Sequence, residues 1–320
     1  MSKTAVMFSG IDCLDKVEHR LQVLKMPEVL DRLDKAQFYL DDVESSVSLI
    51  DYLSASDQIF HSSLAIKALI GAATHVGLYD LLLKFHAPPD YLVGCSLGDI
   101  ARIVCSGALS FEQLLMGTFH YGDHGEKLHG GSVVCVKSLF SPLSEIEVEL
   151  IQSHGLYVAV YQTPHHFLVG GPDEILNAWI DSQSTKALYS IRPLCDKPLH
   201  STFMNRSKDH AFAGMGDLLI GPFKMPMISA TESRLIESSE DLLRDMTMNM
   251  TGPVKWWQTY RWMIQELGVS KFINIGPAET LIRLHERMNI GSDIEVIDSL
   301  HLEKQSAACS ERSFVDTIEI

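Results

Sequence analysis

The sequence predicts an α/β fold, a parallel sheet flanked by helices and interrupted by a smaller strand-rich unit. Three observations carry this. Short, bounded apolar runs recur at 4–10, 91–93 and 271–275; helical spacing fills most of the chain between them; and residues 132–193 alternate strands and helices in a compact block. With 320 residues, 46% hydrophobic and 21% charged, the chain has room for a large core, and collagen-like, disulfide-scaffold and disordered classes are excluded. Six cysteines without a C-x-x-C pair fit reduced, buried thiols, with no metal site expected. A net charge of −15 opposes nucleic-acid binding. No secretory apolar segment opens the sequence, and the apolar stretch 64–83 is broken by Lys67, His75 and Asp80. It reads as a core helix, so a cytoplasmic protein with no membrane partner is expected.

Taken in order, 4–10 is a buried strand that ends at Gly10. Residues 17–85 carry helical spacing, first Val23, Leu24, Met26, Val29, Leu30 and Leu33, then Leu64, Ile66, Leu69 and Ile70, which predicts three or four helices. A second strand at 91–93 breaks at Gly94-Cys95-Ser96-Leu97-Gly98, after which Ile100, Ile103 and Val104 continue as a helix up to Gly107. Ser110 and Gln113 have capping-box spacing and open a helix to about Phe119. Gly122, Gly125, Gly130 and Gly131 read as a linker. Then come strand 132–137, helix 143–154, strands 156–163 and 166–170, helix 172–182 and strand 188–193, the ferredoxin-like β-α-β-β-α-β order. A strand at 226–231, helices at 240–250 and 256–267, strand 271–275, a helix through Met288 and a strand at 294–298 complete the chain. The expected organisation is a discontinuous core, 1–127 with 199–302, an inserted unit at 128–198 and a polar tail at 303–320.

Gly94-Cys95-Ser96-Leu97-Gly98 fits G-x-S-x-G between a strand and a helix. Such a turn is too tight for side chains at the glycines, and it holds a serine hydroxyl at a helix N-terminus where amides can receive an oxyanion. A plain tight turn with a structural serine would use the same residues. A serine nucleophile needs a base, and of fourteen histidines His200 differs in following the inserted unit, where the chain re-enters the core, a position that by itself favours it only modestly over the others.

These residues carry a family resemblance. The run from Val93 to Phe111 resembles the G-H-S-L-G-E elbow and helix of malonyl-CoA:acyl-carrier-protein transacylases and polyketide-synthase acyltransferase domains. Phe8-Ser9-Gly10 resembles the first loop of that family, Pro198-Leu199-His200-Ser201 with Met204 its histidine motif, Gly252-Pro253-Val254-Lys255-Trp256 its N-P-V-x-W, and Ile275-Gly276-Pro277 its terminal V-G-P. The resemblance implies an α/β-hydrolase-like core with a ferredoxin-like insertion and a Ser-His mechanism on thioesters. In it Ser96 attacks, His200 is the base, the amides of Ile11 and Leu97 form the oxyanion hole, and a backbone carbonyl near Val254 and Lys255 orients the histidine. It implies no bound cofactor, only a substrate thioester on the phosphopantetheine of an acyl carrier protein or on CoA, with the carrier protein as partner and a monomeric enzyme.

One departure bears on specificity. Malonyl-specific members place an arginine 25 residues after the serine, and here that position is Tyr121, with no arginine between Arg102 and Arg192. An unpaired carboxylate in such a pocket costs several kcal/mol, so a monocarboxylic acyl group is expected, in a pocket formed by Tyr121, His120, Leu199 and Cys95. Arg102 and Lys127 are the surrogate cations to consider, Arg102 first as a structural ion pair. Three readings follow: a transacylase, an acyl hydrolase that clears stalled carrier proteins as arginine-lacking, free-standing relatives in trans-acyltransferase polyketide pathways do, and a silent carrier-binding scaffold. Lys186, Arg192, Lys197, Arg206 and Lys208 face a single carboxylate, Asp196, across 186–208; that basic island around His200 suits an acidic carrier protein, though a solvated stretch has the same composition.

Overall fold

In the computed structural model, which describes residues 2–43, 46–184, 188–277, 280–288 and 294–298, strand β1 (Lys3–Phe8) lies inside a six-stranded sheet. Ala5 to Phe8 are each fully buried on both faces, and a strand of that kind needs parallel neighbours covered by helices. After β1 come α1 (Val17–Val23), α2 (Pro27–Asp41), α3 (Leu49–Ser54), α4 (Asp57–Phe60) and α5 (Leu64–Phe85). The periodicity predicted three or four helices here; the short α3 and α4 are below the length that it resolves. By length and composition α5 could cross a bilayer, yet 83% of its most apolar window is buried inside the protein, packed between α2 and α7 (Phe111–Glu126).

Helix α7 corrects the sequence reading, which ended it near Phe119 and gave 122–131 to a linker. It runs on through Gly122 and Gly125 because those glycines are contact points: a Cβ at Gly122 would sit 2.5 Å from the Ala65 Cα of α5. Between β2 (Tyr91–Gly94) and α7 lies α6 (Gly98–Cys105), the helix of the serine turn.

The inserted unit comprises β3 (Gly131–Ser138), α8 (Glu145–Ser153), β4 (Tyr157–Thr163), β5 (His166–Pro172), α9 (Asp173–Ser184) and β6 (Tyr189–Cys195). Its strands form an antiparallel sheet in the order β4-β5-β3-β6, the ferredoxin-like arrangement that the element order predicts. The chain then forms α10 (Asn205–Met215), β7 (Met227–Ser229), β8 (Arg234–Ile236), α11 (Ser239–Thr251), α12 (Trp256–Gln265), β9 (Val269–Ile275), α13 (Thr280–Met288) and β10 (Glu295–Asp298). The large sheet is ordered β10-β9-β1-β2-β7-β8, parallel except for β8. Helix α10 and strand β8 had no sequence signal: α10 buries only Ser207, Ala211 and Met215, and β8 has three residues. The expected tail at 303–320 lies outside the described residues.

Candidate active site

Strand β2 delivers the chain into a turn that only glycine permits at two positions. A Cβ on Gly94 would lie 2.3 Å from the Asp99 nitrogen, and one on Gly98 would lie 2.2 Å from the Phe8 carbonyl oxygen. Between them Ser96 is held at φ 57°, a left-handed conformation that costs an L-residue about 1–2 kcal/mol. His200 has the same φ of 57°. Two strained residues meet here, since His200 Nε2 lies 2.8 Å from Ser96 Oγ.

The other ring nitrogen decides the tautomer. His200 Nδ1 lies 2.8 Å from the Asn249 carbonyl oxygen, which can only accept, so the ring proton sits on Nδ1 and Nε2 is left as an acceptor for the serine hydroxyl. Burial pushes His200 down to about 4, opposed by the Asn249 carbonyl; the imidazole is therefore neutral at pH 7, the form a base requires.

That contact corrects the expected orienting segment. Val254 and Lys255 do not reach the histidine. The Val254 oxygen accepts from Tyr161 N at 2.8 Å and its nitrogen donates to Ala159 at 3.0 Å, while Lys255 N donates to Ala230 at 2.7 Å. Val254 is consumed in joining β4 to the core, and Lys255 in joining the start of α12 to the end of β7. Asn249 was missed, although it occupies the last turn of a helix that the sequence did predict, where carbonyls lack helical partners and are ready acceptors.

Ser96 and His200 open onto two spaces. The inner one, a cavity of about 90 Å³, runs between α6, α7, α10 and α11 and is walled by Ile100, Ile103, Met215, Met246 and Met250. Tyr121 and Leu199 line it, and the Tyr121 hydroxyl donates to the Met250 carbonyl at 3.0 Å. His120 and Cys95 do not line it. His120 turns one helical step away from Tyr121 and packs over Gly214 of α10, and Cys95, preceding the serine, faces the outer cleft instead. That cleft, of about 770 Å³, separates the core from the inserted unit and is bordered by Asp12, Lys67, Gln162, Arg192 and Trp256. The amides of Ile11 and Leu97, beside Ser96, donate no hydrogen bond among the described residues.

Among the described residues no lysine or arginine lines the inner cavity. Arg102 is fully buried behind it, paired with Asp245 at 2.5 Å and Asp99 at 3.3 Å, and Lys127 is exposed and paired with Asp123. Among the described residues Asp99 is the carboxylic side chain on the cavity wall, and burial raises it well above the usual range. Of the basic island, Lys186 lies outside the described residues, Arg192 borders the cleft, Arg206 is exposed, and Lys208 pairs with Asp209 at 3.1 Å. Lys197 also borders the cleft, with its ammonium donating to the carbonyls of Glu126 and Leu128, both at 3.0 Å, at the end of α7.

A glycine-bounded serine on a strand-to-helix turn, met by a half-buried histidine in an α/β core with a ferredoxin-like insertion, defines a class of α/β proteins with paired Ser and His. Within that class, the family profile described as acyl transferase domain matches residues 19–315, and the chain belongs to that family. It is similar to the polyketide biosynthesis protein PksE of Bacillus subtilis, 28% identical over 206 residues that cover 62% of this chain and 26% of that protein. The chain thus matches about a quarter of that relative's length. It is also similar to the malonyl CoA-acyl carrier protein transacylase of Staphylococcus aureus, 24% identical over 66% of this chain and 70% of that one. The structure of the malonyl CoA-acyl carrier protein transacylase from Coxiella burnetii shares the fold, with a TM-score of 0.82, 19% identity and coverage of 97% and 98% of the two chains.

Proposed function

We propose that this chain moves a monocarboxylic acyl group between thioesters of acyl carrier proteins in polyketide or fatty-acid-type biosynthesis, through an acyl-serine. Ser96 Oγ attacks the thioester carbonyl while its proton passes to His200 Nε2, and the amides of Ile11 and Leu97 receive the oxyanion. Collapse breaks the C–S bond, and the departing thiolate takes the proton back from His200. An acceptor thiol on a second phosphopantetheine arm then repeats the sequence in reverse. The observation that carries this reading is the 2.8 Å contact of Ser96 with a neutral histidine at the junction of an apolar cavity and an open cleft. The apolar wall, with no lysine or arginine among its described residues, supports a neutral acyl chain over malonyl. Carrier proteins as partners are supported by the transacylase relative's name.

Hydrolysis of the same acyl-serine is the second reading, favoured by the width of the outer cleft, which leaves water a route to the ester. Intact-mass analysis after incubation with acetyl- and malonyl-loaded carrier protein separates the two. Acyl-serine that passes only to a second carrier supports transfer; free acid with unloaded carrier supports hydrolysis. An adduct that forms on wild type and is lost in Ser96→Ala excludes a silent scaffold, and efficient loading from malonyl-CoA overturns the neutral-pocket reading.

A further inference from the structure

Ser96 and His200 come from segments 104 residues apart in the chain, and a third residue holds both. We propose that the side chain of Asn249 is a positioning residue that references the serine turn and the histidine to one point on α11. The proposal rests on the reading of Ser96 as nucleophile and His200 as base. Three contacts close a ring: Ser96 Oγ to His200 Nε2 at 2.8 Å, His200 Nδ1 to the Asn249 carbonyl at 2.8 Å, and Asn249 Nδ2 to the Ser96 carbonyl at 3.1 Å. The first two orient the imidazole. The third holds the backbone of the residue in the left-handed conformation, so a shift of the turn relative to α11 is resisted at the same residue that sets the ring.

Two further observations separate this from an incidental contact. Asn249 Oδ1 is buried with no hydrogen-bond partner; an asparagine that leaves its acceptor unpaired is tolerated where its donor has a task. One helical turn earlier on the same face of α11, Asp245 accepts from Arg102 of α6 at 2.5 Å and from Thr231 at 3.0 Å. The i, i+4 spacing therefore gives α11 two polar attachments to the serine turn and its helix, Asp245 on α6 and Asn249 on Ser96.

The test uses the whole chain and an alkyl fluorophosphonate, which reports the nucleophilicity of Ser96 without a thioester. Asn249→Leu keeps the backbone carbonyl and nearly the same volume but removes the donor and the unpaired acceptor together. Labelling is expected to slow about tenfold to a hundredfold while the melting temperature holds or rises, and Asn249→Gln, which retains a donor, recovers part of the rate. Asn249→Ala carries the same expectation should leucine prevent folding. A second readout is free of chemistry: the carbonyl ¹³C resonance of Ser96 moves upfield when its hydrogen bond is lost. Wild-type labelling in Asn249→Leu, or an unmoved Ser96 resonance, overturns the proposal. If wild-type Ser96 takes no label, it is the nucleophile reading that fails, and the resonance alone decides whether the attachment exists.

Discussion

Two of the serine–histidine contacts in this protein, one at the open turn and one in the core, differ in what each can do. Ser96 and His200 stand at 2.8 Å, Ser9 and His75 at 3.1 Å. Burial depresses both histidines, His200 to about 4 and His75 to about 3. The contrast lies in the second partner. His200 gives its Nδ1 proton to a carbonyl, so Nε2 is free to accept. Ser9 Oγ gives its own proton to the Ile275 carbonyl at 3.2 Å, so His75 must donate from Nε2, and its Nδ1 is left without a partner. The same two residue types thus adopt opposite tautomers, one suited to a base and one to a structural donor. Access reinforces the difference: Ser96 and His200 border two cavities, whereas Ser9 and His75 are each fully enclosed. A serine next to a neutral histidine is therefore insufficient; the far nitrogen's partner and an open path decide.

That contrast can be broken most sharply by deletion. Ser96→Ala is expected to abolish fluorophosphonate labelling, on the order of a thousandfold or more, whereas Ser9→Ala leaves the labelled peptide the same; label recovered on Ser9 sinks the distinction. A pH series comes next. The labelling rate should be flat near neutrality and fall as pH drops through about 4, where His200 protonates. Both histidines have folded values below the ordinary 6.5, so the unfolded chain takes up protons first. Stability is fully present above 6.5 and is lost as pH falls toward 4, by about 1.4 kcal/mol per pH unit for each proton, as chemical denaturation at stepped pH would read. Tyr121→Arg should raise the malonyl-to-acetyl loading ratio by about tenfold, as one paired carboxylate is worth; an unchanged ratio means that the acyl group does not reach Tyr121. The smallest effect expected is the stability loss in Ser9→Ala, about 1–3 kcal/mol, because His75 loses its partner within the core. A loss near zero in urea unfolding would mean that the second pair is not even structural.

Much of this architecture is legible in the residues. The apolar runs of β1, β2 and β9 and the order of the inserted unit follow from period and turn chemistry, and the glycines around Ser96 announce a turn that no other residue tolerates. Helix α7 was cut short because Gly122 looks like a breaker until Ala65 is seen against it. His120 and Tyr121 were assigned to one pocket because they are adjacent, yet neighbours on a helix point about 100° apart. Spacing along the chain gives no sign that the Lys197 ammonium meets two carbonyls at the end of α7.

By itself, then, the sequence determined the class of fold and the serine turn, because tight turns and hydrophobic period are written in local residue types; His200 came from the likeness of its motif to the family's. Only the tertiary structure decided which carbonyl orients His200, that the Ser96–His200 pair is open where Ser9 and His75 are enclosed, and that Arg102 is spent between Asp99 and Asp245. Those outcomes depend on which groups distant in the chain occupy the last few ångströms around a buried polar atom, and hydrogen bonding at that range is fixed by packing, not by spacing along the chain.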